Sequence, residues 1–215
     1  MISILLPIYN GIEFIDESIQ SIRMQTYTEW ELLIGINGHG PNSKVYQQAC
    51  AYSSDKIRVY DFHTISNKSD TLNALIPYCT FDYIALIDVD DIWLPTKLMM
   101  QSLHLIKYDV VGTKCVYFGD RIGCPDIPTG DISHYNFLIN PIINSSSILK
   151  KELCYWDNTH NGVEDYDLWL KLKQQSKTFF NCNEVLVQHR LHKLSAFNNT
   201  NHANVHDLLV KYKLV

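Results

Sequence analysis

What this sequence lacks narrows it before any motif does. Its 18 Lys and Arg residues are outnumbered by 23 Asp and Glu, for a formal charge of -5, and they form no basic run. The electrostatic footprint of nucleic-acid binding is missing, so no nucleic-acid partner is expected. Cysteines at metal-ligand spacing are missing too. Cys50, Cys79, Cys115, Cys124, Cys154 and Cys182 are scattered with no C-x-x-C pair, which suggests neither a zinc site nor a disulfide framework and fits a reducing compartment best. The apolar run Ile2-Ser-Ile-Leu-Leu-Pro-Ile8 has no basic flank and is too short to span a bilayer. It reads as a first buried strand. With no signal peptide in view, a cytoplasmic location is expected, peripheral membrane attachment staying open. There is no internal repeat. What is present is 46% hydrophobic content over 215 residues, enough for one well-buried domain and too little for two generous ones.

Over the first half, apolar runs alternate with segments of helical period, the pattern of βαβ units around a mostly parallel sheet. Strands are expected near 2–8, 31–36, 57–62 and 83–87. Ile12, Ile15, Ile19 and Ile22 recur at helical spacing, and Asn10 followed by Glu13 resembles a capping box that starts this helix. Further helices are expected at 43–54, around 69–77, at 96–107 after Pro95, and at 165–175, where Leu168, Trp169 and Leu172 form an apolar stripe. The second half is less regular. Gly119 to Ser133 carries three Gly and two Pro with little apolar periodicity, which predicts a lid or a disordered segment. Four Asn within 198–204 suggest a linker, after which Val205, Leu208, Leu209 and Tyr212 give a short amphipathic helix, most simply core packing.

The chemistry concentrates in Ile84-Ala-Leu-Ile-Asp-Val-Asp-Asp-Ile-Trp-Leu-Pro95. Asp88, Asp90 and Asp91 follow an apolar run that reads as a strand buried on both faces, and open α/β sheets bind ligands outside the carboxyl ends of such strands. Side chains two apart on extended backbone point the same way, so Asp88 and Asp90 could share one hard divalent cation that in turn holds a diphosphate. The bland alternative is a solvated acidic turn. A calcium loop of the EF-hand kind fits worse, because it needs an Asp-type ligand and then Gly where Ile92 and Trp93 stand.

Four segments in order resemble a family 2 glycosyltransferase of the GT-A fold: Leu6-Pro-Ile-Tyr-Asn10, Leu86-Ile-Asp-Val-Asp-Asp-Ile-Trp-Leu-Pro-Thr-Lys-Leu98, Gly162-Val-Glu-Asp-Tyr-Asp-Leu-Trp-Leu-Lys-Leu172 and His189-Arg-Leu-His-Lys-Leu-Ser195. The resemblance implies an α/β fold, a single Rossmann-like domain over 1–215 with a mixed, mostly parallel sheet flanked by helices. It implies a nucleotide-sugar-binding half at 1–98, an acceptor and catalytic half at 99–197, and the linker and helix at 198–215. Transfer of a sugar to an acceptor hydroxyl with inversion follows, the acceptor being glycan, protein or lipid-linked.

The resemblance also assigns roles. Asp90 is the expected ligand for Mn²⁺ or Mg²⁺, with His192 a second; Asp88 meets the ribose or metal-bound water; Asp91 either orients Asp90 or the donor sugar, or caps the helix before Pro95. Pro7, Tyr9 and Asn10 border the nucleoside, Asn10 being equally a plain helix cap. The family's second strand usually ends in Asp-Gly-Ser, where this chain has Asn37-Gly-His-Gly40. Asn37 can still accept from uracil N3–H without charge assistance, and Asp61 is a second acceptor, so a UDP-sugar is favoured with its base in doubt. Arg190 is expected on the diphosphate. A family basic residue is missing, with Lys68 or Asn73 as substitutes. Asp165 is the expected general base, and the alternative is an acidic helix start made of Glu164, Asp165 and Asp167. Ser195 falls at a matching Ser, while Trp156, Asp157 and residues 144–147 fall where the family builds an acceptor wall. A nucleotidyltransferase and a catalytically inactive binding protein of the same fold are the competing readings. The first lacks a basic phosphate loop at 7–12, and the second rests on the changed Asn37 segment alone.

Overall fold

The computed structural model describes residues 1–160, 162–193 and 202–215. Most of the Asn-rich stretch and Ser195 lie outside them. The first strand, β1 (Ile2–Ile8), sends Ile2, Ile4, Leu6 and Ile8 into one apolar cluster and Leu5 into a second on the opposite face. Strand β2 (Trp30–Asn37) repeats the alternation, with Leu32, Ile34 and Ile36 on the first face and Leu33 on the second. Both faces are therefore covered, which is why these strands read as continuous apolar runs.

Between them lies α1 (Ile15–Arg23), whose Ile15, Ile19 and Ile22 join the first cluster. The expected capping box is not formed. Gly11, at φ +86°, precedes a short 3₁₀ turn at Ile12–Phe14, and no side chain caps either that turn or α1. A left-handed residue breaks the path that a capping box needs, and only Gly adopts it without strain. The helix α2 (Lys44–Cys50) is capped by Ser43, whose Oγ accepts from the Tyr46 N–H at 3.1 Å. Strand β3 (Ile57–Phe62) leads to α3 (Lys68–Leu75), where Asn67 caps by accepting from the Asp70 N–H at 2.8 Å. Strand β4 (Tyr83–Leu86) then ends just before the acidic segment.

Strands β3, β2, β1 and β4 are neighbours in that order, all parallel. The chain winds from β1 towards β2 and β3, then returns to place β4 on the other side of β1. The order reverses between β1 and β4, the switch point at which such sheets open a crevice. Beyond β4 the sheet is mixed. β8 (Ile148–Lys150) pairs antiparallel with both β4 and β6 (Val110–Gly119); β9 (Phe179–Leu191) runs parallel to β6, and β5 (Ile92–Trp93) and β7 (Gly130–Asp131) add to β9 antiparallel. On the α1 face lies α4 (Lys97–Ser102), shorter than the helix expected over 96–107. On the opposite face lie α5 (Glu164–Gln174) and α6 (His202–Lys211). Lys211 and the Tyr212 hydroxyl both donate to Asp167, which fastens the C-terminal segment to α5. None of the helices in the described residues is long and apolar enough to cross a membrane.

The Gly119–Ser133 segment is only partly the free loop its composition suggests. Ile127 and Ile132 are buried, β7 lies within it, and Tyr117 bridges to Gly123. The open part narrows to 120–126.

Candidate active site

A cavity of about 330 Å³ opens at the carboxyl ends of β1, β2 and β4. Pro7, Tyr9 and Asn10 border it from β1, Asn37 from β2, Asp88 and Asp90 from the segment after β4, and His192 from just past β9. The topology thus gathers seven sequence-predicted residues from separate parts of the chain. Lys68, at the start of α3, lines the same cavity. Asp61 and Arg190 do not line it. Asp61 accepts from the backbone and ring of His63 at 3.0 and 2.9 Å.

Asp88 is held on three sides. Its N–H donates to Ser145 Oγ at 2.9 Å, Asn144 Nδ2 donates to both its oxygens at 3.1 Å, and Lys68 Nζ stands 2.5 Å from Oδ1. Burial alone would push this carboxyl up, but the Lys68 ammonium and the Asn144 amide outweigh it and hold it below the usual carboxylate range. Residues 144–147, expected as acceptor wall, are buried, and Asn144 and Ser145 among them hold Asp88. Trp156, at 1% exposure, is likewise core and offers no face for a sugar to stack on. Of the two substitutes for the missing basic residue, Lys68 reaches the cavity, whereas Asn73 pairs with the Trp156 backbone through its N–H and carbonyl at 3.0 and 2.8 Å.

Asp90 sits opposite His192, with Oδ2 and Nε2 3.0 Å apart. Burial, then Asp91, then Asp88 push its pKa up to about 6, His192 opposing them. The two atoms are hydrogen-bonded to each other, and a distance of about 3 Å is also that between adjacent ligands of an octahedral cation with bonds of about 2.1 Å. Among the described residues no group of three or more His, Cys, Asp or Glu side chains could hold a metal alone. The Asp90 carboxylate suits a hard divalent cation that completes its shell with water and phosphate oxygens, whereas the His192 imidazole is softer than the oxygen ligands Mg²⁺ ordinarily takes.

Asp91 is fully buried and caps no helix. Its oxygens accept from the Arg190 N–H at 2.9 Å and pair with His189 Nδ1 at 3.0 Å, tying the acidic segment to β9. Burial by itself would lower the His189 pKa, but Asp91 outweighs it and raises it to about 9. The Arg190 guanidinium lies between Phe14 and Phe118, donates to the Asp90 carbonyl at 2.9 Å and meets Glu17 at 2.9 Å. It braces the acidic segment from behind. A partner some hundred positions away leaves no signal in a local sequence pattern.

Asp165 stands at the start of α5, beyond the cavity rim. Asn140 Nδ2 donates to its Oδ2 at 3.1 Å, and Oδ1 accepts from the Tyr166 N–H at 2.8 Å. Lys68 stands 3.7 Å from Oε1 of the neighbouring Glu164, and its charge acts on Asp165 without a direct contact. A helix N-terminus lowers a carboxylate pKa, yet burial and then Glu164 win here and raise Asp165 to about 6, Lys68 opposing. Asn140 also borders a second cavity of about 460 Å³ formed chiefly by 135–141. In the Asn37-Gly-His-Gly40 segment, Gly38 has φ +70° and a Cβ there would come within 2.6 Å of the Tyr9 ring. His39 Nε2 meets the Tyr9 carbonyl at 2.5 Å, so the changed segment packs on the β1 loop and leaves Asn37 facing the cavity.

The sequence profile described as glycosyl transferase family 2 matches residues 3–146. Two Escherichia coli proteins are similar over most of their length. The O-antigen biosynthesis glycosyltransferase WbnJ is 27% identical, covering 91% of this chain and 81% of its own. The UDP-Glc:alpha-D-GlcNAc-diphosphoundecaprenol beta-1,3-glucosyltransferase WfgD is 26% identical, covering 93% and 80%. Among solved structures, S. aureus TarS in complex with UDP-GlcNAc superposes with a TM-score of 0.79 at 15% identity, over 99% of this chain and 65% of that one. The mannosyltransferase PcManGT from Pyrobaculum calidifontis, in complex with GDP-Man and Mn²⁺, gives 0.69 at 14%, over 98% and 62%. This chain therefore spans just under two thirds of those solved proteins, and the likeness to them establishes the shared GT-A fold.

Proposed function

Because the chain belongs to glycosyl transferase family 2 and is a glycosyltransferase, we propose that it moves a sugar from a nucleoside-diphosphate donor to an acceptor hydroxyl by direct, inverting displacement. The observation that carries this is the pairing of a strand-end cavity lined by Asp88, Asp90 and His192 with a separate carboxylate, Asp165, whose pKa is raised to about 6. One group set suits a diphosphate and the other suits proton transfer.

On this reading, residues 1–98 hold the donor. Pro7, Tyr9, Asn10 and Asn37 border the nucleoside, while Asp61 pairs with His63 outside the cavity. A uridine donor is favoured, since the Asn37 carbonyl can accept from uracil N3–H. Asp90 and His192 would hold Mn²⁺ or Mg²⁺, which when bound neutralises charge gathering on the leaving diphosphate. Lys68, and not the braced Arg190, is the cation available to the phosphates. Residues 99–197 hold the acceptor, whose hydroxyl approaches from the second cavity past Asn140. Asp165 takes the hydroxyl proton while the oxygen bonds to the anomeric carbon; the carbon–oxygen bond to the diphosphate breaks and its electron pair leaves with the β-phosphate. Asn140 and the Tyr166 N–H fix the carboxylate for that transfer. Leu138 and Ile139, 42% and 83% exposed beside that cavity, favour a lipid-linked acceptor over a soluble glycan or a protein.

A panel of nucleotide sugars, assayed for Mn²⁺- or Mg²⁺-dependent release of the nucleoside diphosphate, tests the proposal. Asp90→Ala should abolish the divalent-dependent part of UDP binding in calorimetry while leaving the melting temperature close to wild type. Unchanged metal-dependent affinity would remove Asp90 from the site.

A further inference from the structure

Lys97 is fully buried, and no carboxylate contacts it among the described residues. A buried cation without an anion is costly to keep; burial pulls its pKa well below the usual lysine value. Its surroundings show what the amine holds. Nζ donates to Gln101 Oε1 at 2.8 Å and lies 3.9 Å from the centre of the Trp93 ring. Each of those partners reaches the same short turn, Asn144–Ser146. Gln101 Nε2 donates to the Ser146 carbonyl at 2.8 Å and to the Val111 carbonyl at 2.7 Å; Trp93 Nε1 donates to the Ser145 carbonyl at 2.8 Å. The turn in turn presents Asn144 Nδ2 and Ser145 Oγ to Asp88.

We infer that Lys97 is a positioning residue: its amine fixes the Gln101 amide and packs on the Trp93 indole, these fix two successive carbonyls of the 144–146 turn, and the turn sets the place of Asp88. The Gln101 amide is the sensitive step. Its NH₂ must face the two carbonyls, and Nζ donating to Oε1 holds the amide from the other end; without Nζ, Oε1 is left a buried acceptor with no donor and the amide is anchored from one side only. The consequence for donor binding rests on the reading of the Asp88 cavity as a donor site, whereas the consequence for the turn does not.

Two readouts keep these apart: amide exchange of the Asp88 N–H and the Trp93 indole by NMR in the ligand-free protein, and UDP affinity with Mn²⁺ by calorimetry. Lys97→Met fills the same space without the amine, so the melting temperature is expected to change little, the lost donor to Oε1 being offset by removal of a costly buried polar group. Exchange at Asp88 should nevertheless quicken about tenfold, with β1 and β2 amides unchanged, and UDP affinity should fall about tenfold, the loss of ~1.4 kcal/mol. A residue that served stability alone would lower the melting temperature and leave Asp88 exchange in step with the rest of the sheet. Gln101→Glu is the second variant, should Lys97→Met not fold. It keeps the shape and gives Lys97 an anion, but a carboxylate cannot donate to either carbonyl, so the same local loss is expected. Unchanged Asp88 exchange in the folded variant overturns the inference. Faster exchange in a protein whose wild type binds no nucleotide upholds the positioning role and overturns the donor reading instead.

Discussion

The parallel half of the sheet and the mixed half each place a carboxylate near Lys68, and the two carboxylates are driven in opposite directions. At the end of β4, Asp88 has the ammonium 2.5 Å away and an Asn144 amide on both oxygens, and its pKa is lowered. At the start of α5, Asp165 has Glu164 beside it and the same ammonium acting only from farther off, and its pKa rises to about 6. At Asp88 the close ammonium outweighs burial, whereas at Asp165 burial and then Glu164 outweigh the same ammonium, so one cation felt unequally leaves the two carboxyls shifted in opposite directions. Environments that separate two pKa values in this way are how acid–base work is divided between like residues.

The largest expected effect comes from removing the proton-trading member. Asp165→Asn should slow sugar transfer by about 10²–10⁴, the range for a lost general base, while donor affinity and melting temperature stay near wild type. Single-turnover transfer, measured beside UDP binding, checks it. As a mere helix-start carboxylate Asp165 would be replaceable by Asn, so near-normal transfer would sink the mechanism and leave the fold untouched. In the wild type the base must be ionised, so transfer should rise with pH through about 6.

Lys68→Met comes next, because it attacks the sharing itself. Removing the cation frees both carboxylates from a charge that lowers their pKa, so the acid limb of the pH–rate profile should move to higher pH. Donor affinity should fall about tenfold, the worth of one hydrogen bond to a charged group. An acid limb that does not move would mean Lys68 acts on Asp88 alone.

The two halves also differ in how much of them can be read without coordinates. Strands β1 to β4 fall within a residue or so of their expected places, since a strand covered on both faces writes itself as an uninterrupted apolar run. The mixed half has no such signature: β8 is three residues long, β5 and β7 two each, and β9 shifts register against β6 near Thr113 and Lys114. The site divides similarly. Asp88, Asp90, His192 and the Pro7–Asn10 loop are visible as motifs because strand ends deliver them together. Asn144, Ser145, Gln101 and the Asp91–His189 pair are not, because their roles come from contacts between distant segments. Local pattern also misled at Asn10, where Gly11 takes a left-handed path instead of a helix start.

The smallest effect concerns a segment of the mixed half, 120–126, between β6 and β7. The Asp120 N–H donates to the Leu191 carbonyl at 2.7 Å, Gly123 bridges to Tyr117 and Ile127 is buried just past the end, while Ile122 is 91% exposed and the side chains of Asp120 and Arg121 face solvent. A span fixed at its base and apolar at its tip has contacts to gain only by folding onto something, which a bound donor would provide. Amide exchange with and without UDP and Mn²⁺ should therefore show a severalfold gain in protection confined to 120–126, with β7 and Ile132 unchanged, since their backbone bonds are already made. Equal exchange in both states would make this a fixed loop and leave the donor closed off by the cavity walls alone. Protection spreading across β7 would point instead to the whole 119–133 segment moving as one body.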